Sequence, residues 1–224
     1  NYDYNNKYLL TVSGRWDGAS QLAEGNKWAF FPSAALGWRL DQEEFLKDVT
    51  WLNQLKFRLG VGVTGNSAID PYQTKGAIVS LYYPFGSALA PGYAASEPLI
   101  KDGAVAMANK NLSWEKTTQY NIGLDYSVLN GRISGVLDFY TSRTTDLLMA
   151  MTIPSLNGYT NTYANVGKTS NIGVDITLNT VNVKTRDFEW STSINAAWQK
   201  DKIDELANGK EDDINNNWFI GQAL

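Results

Sequence analysis

The chain has 224 residues and a net charge of -4, from 19 basic and 23 acidic side chains, with no histidine and no cysteine. Those two absences exclude zinc sites built on thiolate or imidazole, thiol redox chemistry, disulfide frameworks and any Cys or His nucleophile or base. Dispersed Lys and Arg in an acidic chain exclude the clustered basic face that a nucleic-acid partner needs. Hydrophobic residues make up 43%, and no run approaches the length of a membrane-spanning helix.

In chain order, apolar side chains fall repeatedly on every second residue, the signature of a strand with one dry and one wet face. Tyr8, Leu10, Val12 and Trp16 alternate with Thr11, Ser13 and Arg15. Trp28, Phe30, Leu36 and Trp38 share one parity, opposite Ser33 and Arg39. Pro32 falls on that apolar parity and cannot donate to a ladder, which predicts a bulge or a late strand start. DQEEFLKD follows (41–48), where Phe45 and Leu46 can anchor a single helical turn.

Leu55, Phe57, Leu59, Val61 and Val63 then face away from Lys56, Arg58 and Thr64. In QYNIGLDYSV, Tyr120, Ile122, Leu124, Tyr126 and Val128 alternate with Asn121, Asp125 and Ser127. Asn130-Gly131 supplies the positive-φ dipeptide of a type I′ hairpin, and a second long strand runs to Tyr140. Ile172, Val174, Ile176 and Leu178 alternate with polar partners, and Trp190, Ile194, Ala196 and Trp198 close the series.

About seven strands of roughly 10–13 residues result, long for a soluble domain and matched to a tilted bilayer crossing. Aromatics gather towards their ends at Tyr8, Trp16, Trp28, Trp38, Tyr126, Tyr140, Trp190 and Trp198, as an interfacial girdle requires. The same pattern also fits the core of a soluble sandwich. The connections separate the two. Short links near 41–54, 130–131 and 182–187 alternate with long polar loops near 17–27, 66–116 and 149–168 and beyond 200. A transmembrane barrel has short turns at one end and long loops at the other, whereas a Greek-key sandwich has no reason to. The fold class is therefore all-β, an antiparallel up-and-down transmembrane β-barrel, with this chain an arc of a larger wall.

Several stretches carry a resemblance: FFPSAALGWRL (30–40), DQEEFLKDVTWLNQLKFRLGVGVTGN (41–66), NLSWEKTTQYNIGLDYSVLNGRISGVLDFY (111–140) and NVGKTSNIGVDITLN (165–179). In matching order over nearly the whole chain, they resemble the barrel of SusC/RagA-type TonB-dependent transporters. The resemblance implies nutrient uptake (oligosaccharide or peptide) across a bacterial outer membrane, powered through TonB, with a SusD-like surface lipoprotein as partner. Lys110 stands where the family commonly has Pro before Leu-x-Trp-Glu. Nothing here resembles the plug, the TonB-contacting segment or the N-terminal extension. Residues 1–224 thus read as part of one barrel domain whose plug and remaining strands lie elsewhere, because about seven strands cannot close a 22-stranded wall.

Other motifs carry less. Gly60-Val-Gly62-Val-Thr-Gly65 matches a dinucleotide fingerprint, yet no helix pattern follows it. Asp213-x-Asn215-x-Asn217 begins like a calcium loop but places Trp218 where Gly is required. No acid faces a base in an evident cleft, so the sequence predicts no catalytic residues, no metal, no cofactor and no enzyme. The recognition candidates are Tyr82, Tyr83, Phe85 and Tyr93 in loop 66–116, aromatics among Pro and Gly that suit a sugar face or a protein partner. A self-packed loop is the alternative for them. For the whole chain, a soluble β-sandwich carbohydrate-binding module and a passive porin or adhesin barrel are the other readings.

Overall fold

The structure, a computed structural model, describes all residues but 76–78, 95–106, 155, 157–158, 160, 208, 210, 215–216 and 224. Its strands are β1 (Tyr2–Tyr4), β2 (Tyr8–Gly18), β3 (Trp28–Arg39), β4 (Leu52–Asn66), β5 (Val79–Phe85), β6 (Ala88–Ala94), β7 (Glu115–Val128), β8 (Ile133–Thr145), β9 (Leu148–Thr152), β10 (Asn161–Asn165), β11 (Lys168–Lys184) and β12 (Glu189–Glu205). Eight of them form one open sheet in the order β1-β2-β3-β4-β7-β8-β11-β12, with β5-β6 and β9-β10 as separate two-stranded ribbons. Every pairing is antiparallel between neighbours in the sheet order. This is the predicted meander. It is an arc with two free edges.

The seven long wall strands run from 11 to 17 residues. A tilted strand needs only about 9–11 residues to cross a bilayer, so the longer ones project beyond it. Register carries one apolar row straight across the wall: Leu10, Leu36, Leu59, Ile122, Phe139, Val174 and Trp198 are successive partners. These outward side chains are not covered. Ile122 is 45% exposed, Ile176 42% and Val12 65%, and Leu124, Val174 and Leu178 are half-buried by lateral neighbours alone. Among the described residues no facing sheet packs on them, which argues against the sandwich.

The two ends of the wall are stitched differently. At the short-turn end, Arg132 N–H donates to Leu129 O across Asn130 and Gly131, both at positive φ, which is the expected I′ turn. Leu129 adds a third positive φ, and Gly131 N–H is held by Asn53 Oδ1 at 3.1 Å. The β3–β4 link folds as two single 3-10 turns, Leu40–Gln42 and Glu44–Leu46. Leu46 is half-buried there, but Phe45 is exposed and anchors nothing. Glu43 anchors the link instead. Its carboxylate accepts from Lys7 Nζ (2.9 Å), Tyr8 OH (2.8 Å) and Trp38 Nε1 (2.9 Å). Those three donors hold its pKa down to about 2.

Four expectations are corrected. Pro32 makes neither a bulge nor a late start: β3 begins four residues before it, and its ladder with β2 is unbroken. What stops is the ladder to β4, which begins at Ser33. Tyr140 is not a girdle residue, because its ring lies on the opposite parity, over Gly173. Trp198 does face outward, but it pairs with Val174 in mid-strand rather than at an end. Segments 66–116 and 149–168, expected as long polar loops, each carry a two-stranded ribbon. The short β1 was also not expected. It turns through Asn5 and Asn6, both at φ 53, and stacks Tyr4 on Tyr8 at 6.5 Å.

Candidate functional site

The long loops converge on one another at the end opposite the short turns. Ala23 N–H donates to Leu112 O, and Asn26 Nδ2 to Asn111 O. Trp114 Nε1 donates to Lys27 O at 3.1 Å, and Gln21 Nε2 to Ser67 O at 2.9 Å. Asn165 closes the third loop onto the second, accepting from Ser113 N–H (2.7 Å) and donating to Ser113 O (2.8 Å). Beneath these bonds lies an apolar cluster of Ala19, Leu22, Phe31, Leu112 and Trp114, with Leu148 and Tyr163 packed against it. Phe31 and Trp114 meet edge to face at 5.3 Å. Gly65 permits that approach, since a Cβ there would come within 2.1 Å of the Phe31 ring. Sequence reasoning missed this cluster. Ala19 and Leu22 lie in a loop without periodicity and Phe31 on the polar parity of β3, and only Leu112 and Trp114, inside the family-like LSWE, carried a signal.

The second long loop also carries the β5–β6 ribbon. Tyr82 and Phe85 lie on it and are 67% and 79% exposed. Tyr83 pairs with Ala90 and Tyr93 with Ser80 along the backbone, but their side chains lie outside what the structure describes. Leu89, unremarked in the sequence, is 69% exposed beside them and pairs with Pro84. The ribbon thus presents the apolar side chains of Tyr82, Phe85 and Leu89 to water, an arrangement suited to a partner surface. A cavity of about 520 Å³ opens instead between β9 and the segment after β12, lined by Met149, Met151, Leu206, Asp212, Ile214 and Trp218. Asp213 and Trp218, the ends of the calcium-like motif, exchange backbone hydrogen bonds as a tight bridge. Asn215 lies outside the described residues.

The face of the wall opposite the apolar rows is polar and internally paired. Arg58 on β4 reaches Asp125 on β7 (2.9 Å from Nε) and Asp138 on β8 (3.0 Å from Nη2). It crosses Gly123 to do so, and a Cβ on Gly123 would sit 2.6 Å from its Nη2. Further along, Tyr140 OH donates to Gln199 Oε1 at 3.3 Å, and Thr177 Oγ1 to Asn195 Oδ1 at 3.0 Å. Ser13 and Ser33 share a 2.7 Å bond. Gly60 and Gly62 of the nucleotide-like motif lie on this face within β4, with no helix after them. These groups form a continuous polar face.

Residues 1–221 match the family described as TonB dependent receptor-like, beta-barrel. The TonB-dependent receptor SusC of Bacteroides thetaiotaomicron is 40% identical over 223 residues, which cover 95% of this chain and 21% of that protein. TonB-dependent receptor P26 of Formosa agariphila is 38% identical, over 92% of this chain and 20% of its own length. Among solved structures, the RagAB peptide importer in its open-open state superposes with a TM-score of 0.84 at 28% identity, covering 98% of this chain and 23% of that one. The chain therefore spans about a fifth of the length of the curated relatives it matches.

Proposed function

This chain belongs to the TonB dependent receptor-like β-barrel family, and from that membership we propose that it is part of the wall of a nutrient importer in the bacterial outer membrane. The observation that carries the reading is the inverted wall: exposed apolar rows on one face and an ion-paired polar lining on the other. In this reading the apolar rows meet lipid and the polar face lines the lumen. The free edges at β1 and β12 join further strands of the same barrel, and a plug and a TonB-contacting segment belong to other parts of the longer protein.

The chain itself binds and guides, and carries out no reaction. Its relatives are named as receptors and transporters rather than enzymes. The cargo class is a small oligosaccharide or peptide, the latter favoured by the likeness to a peptide importer. The β5–β6 ribbon, which carries Tyr82, Tyr83, Phe85 and Tyr93, contacts a SusD-like surface lipoprotein that caps the barrel. Tyr82 and Phe85, exposed on opposite faces of β5, suit a flat protein partner better than a small sugar.

Deleting Tyr82–Tyr93 from the full-length protein tests this assignment. The expected result is loss of the co-purifying lipoprotein with outer-membrane insertion intact. Failure to insert would show that the ribbon is structural and carries no recognition.

A further inference from the structure

On the outward face, the loop end of the wall changes character from one side to the other. On β2 and β3 it ends in Trp16, Trp28 and Phe30, all exposed. On β7, β8 and β12 the outward parity carries cations towards that end instead. Arg143 follows Phe139 and Thr141 on β8, Lys116 shares the parity of Tyr120 on β7, and Lys200 and Lys202 continue that of Trp198 on β12. Register gathers them. Arg143 and Lys202 are both partners of Ser170, Thr118 faces Arg143, and Lys200 lies one outward step below beside Ile172. With strands about 4.8 Å apart, Arg143 and Lys202 stand roughly 10 Å apart with a hydroxyl between them.

The acids on this rim answer only part of that charge. Lys168 pairs with Glu205 at 2.6 Å and Lys202 with Asp204 at 3.1 Å. Asp204 also bonds Ser170 and lies within electrostatic reach of Arg143. Among the described residues, Lys116, Arg143 and Lys200 make no ion pair, and all three are exposed. Cations on a lipid-facing strand are costly at mid-bilayer and nearly free at the interface. These sit directly above the apolar rows, where their stems can lie on the wall and their charges can rise to headgroup level.

We infer that this rim binds the phosphorylated headgroup of an outer-leaflet lipid, with Lys116, Arg143 and Lys200 spread along it and Lys202 and the Ser170 and Thr118 hydroxyls at its edge. Two features select a lipid. The patch is complementary to a phosphate, and it is continuous with the apolar surface that would take the acyl chains. The inference rests on the outer-membrane reading of the wall.

The test uses the full-length protein in neutral detergent, with native mass spectrometry as the readout. The probes are phosphorylated lipid A, the same lipid after phosphatase treatment, and inorganic phosphate. Each cation near a charged headgroup contributes roughly fivefold, so Lys116→Gln/Arg143→Gln/Lys200→Gln should bind phosphorylated lipid about a hundredfold more weakly. The charge-keeping variant Lys116→Arg/Arg143→Lys/Lys200→Arg should bind like wild type, and dephosphorylated lipid should bind wild type only weakly. Equal binding by the glutamine variant, or of the dephosphorylated lipid, would overturn the proposal. So would displacement of the lipid by inorganic phosphate at equal concentration, which marks a free-anion site. Absence of the wild-type protein from the outer-membrane fraction would instead sink the membrane reading beneath it.

Discussion

The wall and the loop end handle their apolar residues in opposite ways. Along the wall, Val12, Trp16, Ile122 and Ile176 stay exposed on a sheet whose order comes from backbone ladders. At the loop end, Leu112 is 0% exposed and Leu22 1%, packed like the core of a soluble domain. The difference follows from the solvent each meets. Lipid is as apolar as leucine, so a wall side chain gains little from a protein neighbour. The loops stand in water, where burial of apolar area is the main stabilising force.

Replacement of Trp114 by Ala therefore has the largest expected effect. Trp114 is 8% exposed and braces Phe31 and the Lys27 carbonyl. A buried aromatic truncation costs about 3–5 kcal/mol, to be read from denaturant unfolding of the reconstituted protein. The matching change on the wall, Ile122→Ala, should cost far less. Equal costs would erase the distinction between the two regions.

Leu124→Arg tests the wall from its other side. A charge at the bilayer midplane costs about 2–4 kcal/mol, falling to about 0–1 near the interfaces. The same substitution at Val128, the last residue of β7, should thus be milder. A soluble core would reject arginine at both positions alike.

The lining should respond more modestly. Gly123→Ala places a methyl against the Arg58 guanidinium and the Asp138 carboxylate, separating a pair that is part-exposed to water. The loss expected for such a pair is about 1 kcal/mol or less, and Arg58→Met, which leaves the methyl clash out, should reproduce most of it. Double-mutant additivity checks this, because the two changes should not sum.

The smallest effect belongs to Glu43. Its pKa lies near 2, below the usual carboxylate range, because Lys7, Trp38 and Tyr8 all donate to its charged form. A depressed carboxylate contributes stability that is present above its unfolded pKa and is lost as pH falls towards the folded one. The β2–β3 end should therefore hold its structure down to about pH 4.5 and loosen between there and about pH 2. Trp38 fluorescence follows it, and Glu43→Gln should flatten that acid transition.

Most of the wall was legible because period two is a strong local signal, and it placed Ile122, Ile176 and their neighbours on the correct face. The hairpin at Asn130-Gly131 was legible because few dipeptides accept two positive φ values in succession. Asn5-Asn6 offered a weaker form of the same signal and was passed over. Tyr140 lies at the end of the strand that the sequence predicts, which suggests a girdle, but its parity sets it on the polar face over Gly173. The pairing of Arg58 with Asp138 joins residues 80 positions apart, and no local pattern announces it. The β5–β6 ribbon was hidden by Pro84 and Pro91, which ordinarily argue against a strand and are tolerated in a two-stranded ribbon where every strand is an edge. The candidate aromatics on it remain a proposal, since sequence marks them as exposed and sticky without saying what they meet.

The central claim, that one face of this sheet meets lipid and the other water, has a direct measurement. The 224 residues contain no cysteine, so single cysteines can be introduced in turn at 120–128 and spin-labelled in a full-length protein freed of any others. Collision with oxygen, which concentrates in lipid, and with a water-soluble nickel chelate is then recorded in vesicles. Oxygen accessibility should peak at 120, 122, 124, 126 and 128, and nickel accessibility at 121, 123, 125 and 127. Uniformly low accessibility to both reagents at the even positions would contradict the account, because it would mean that protein, and not lipid, covers the apolar face.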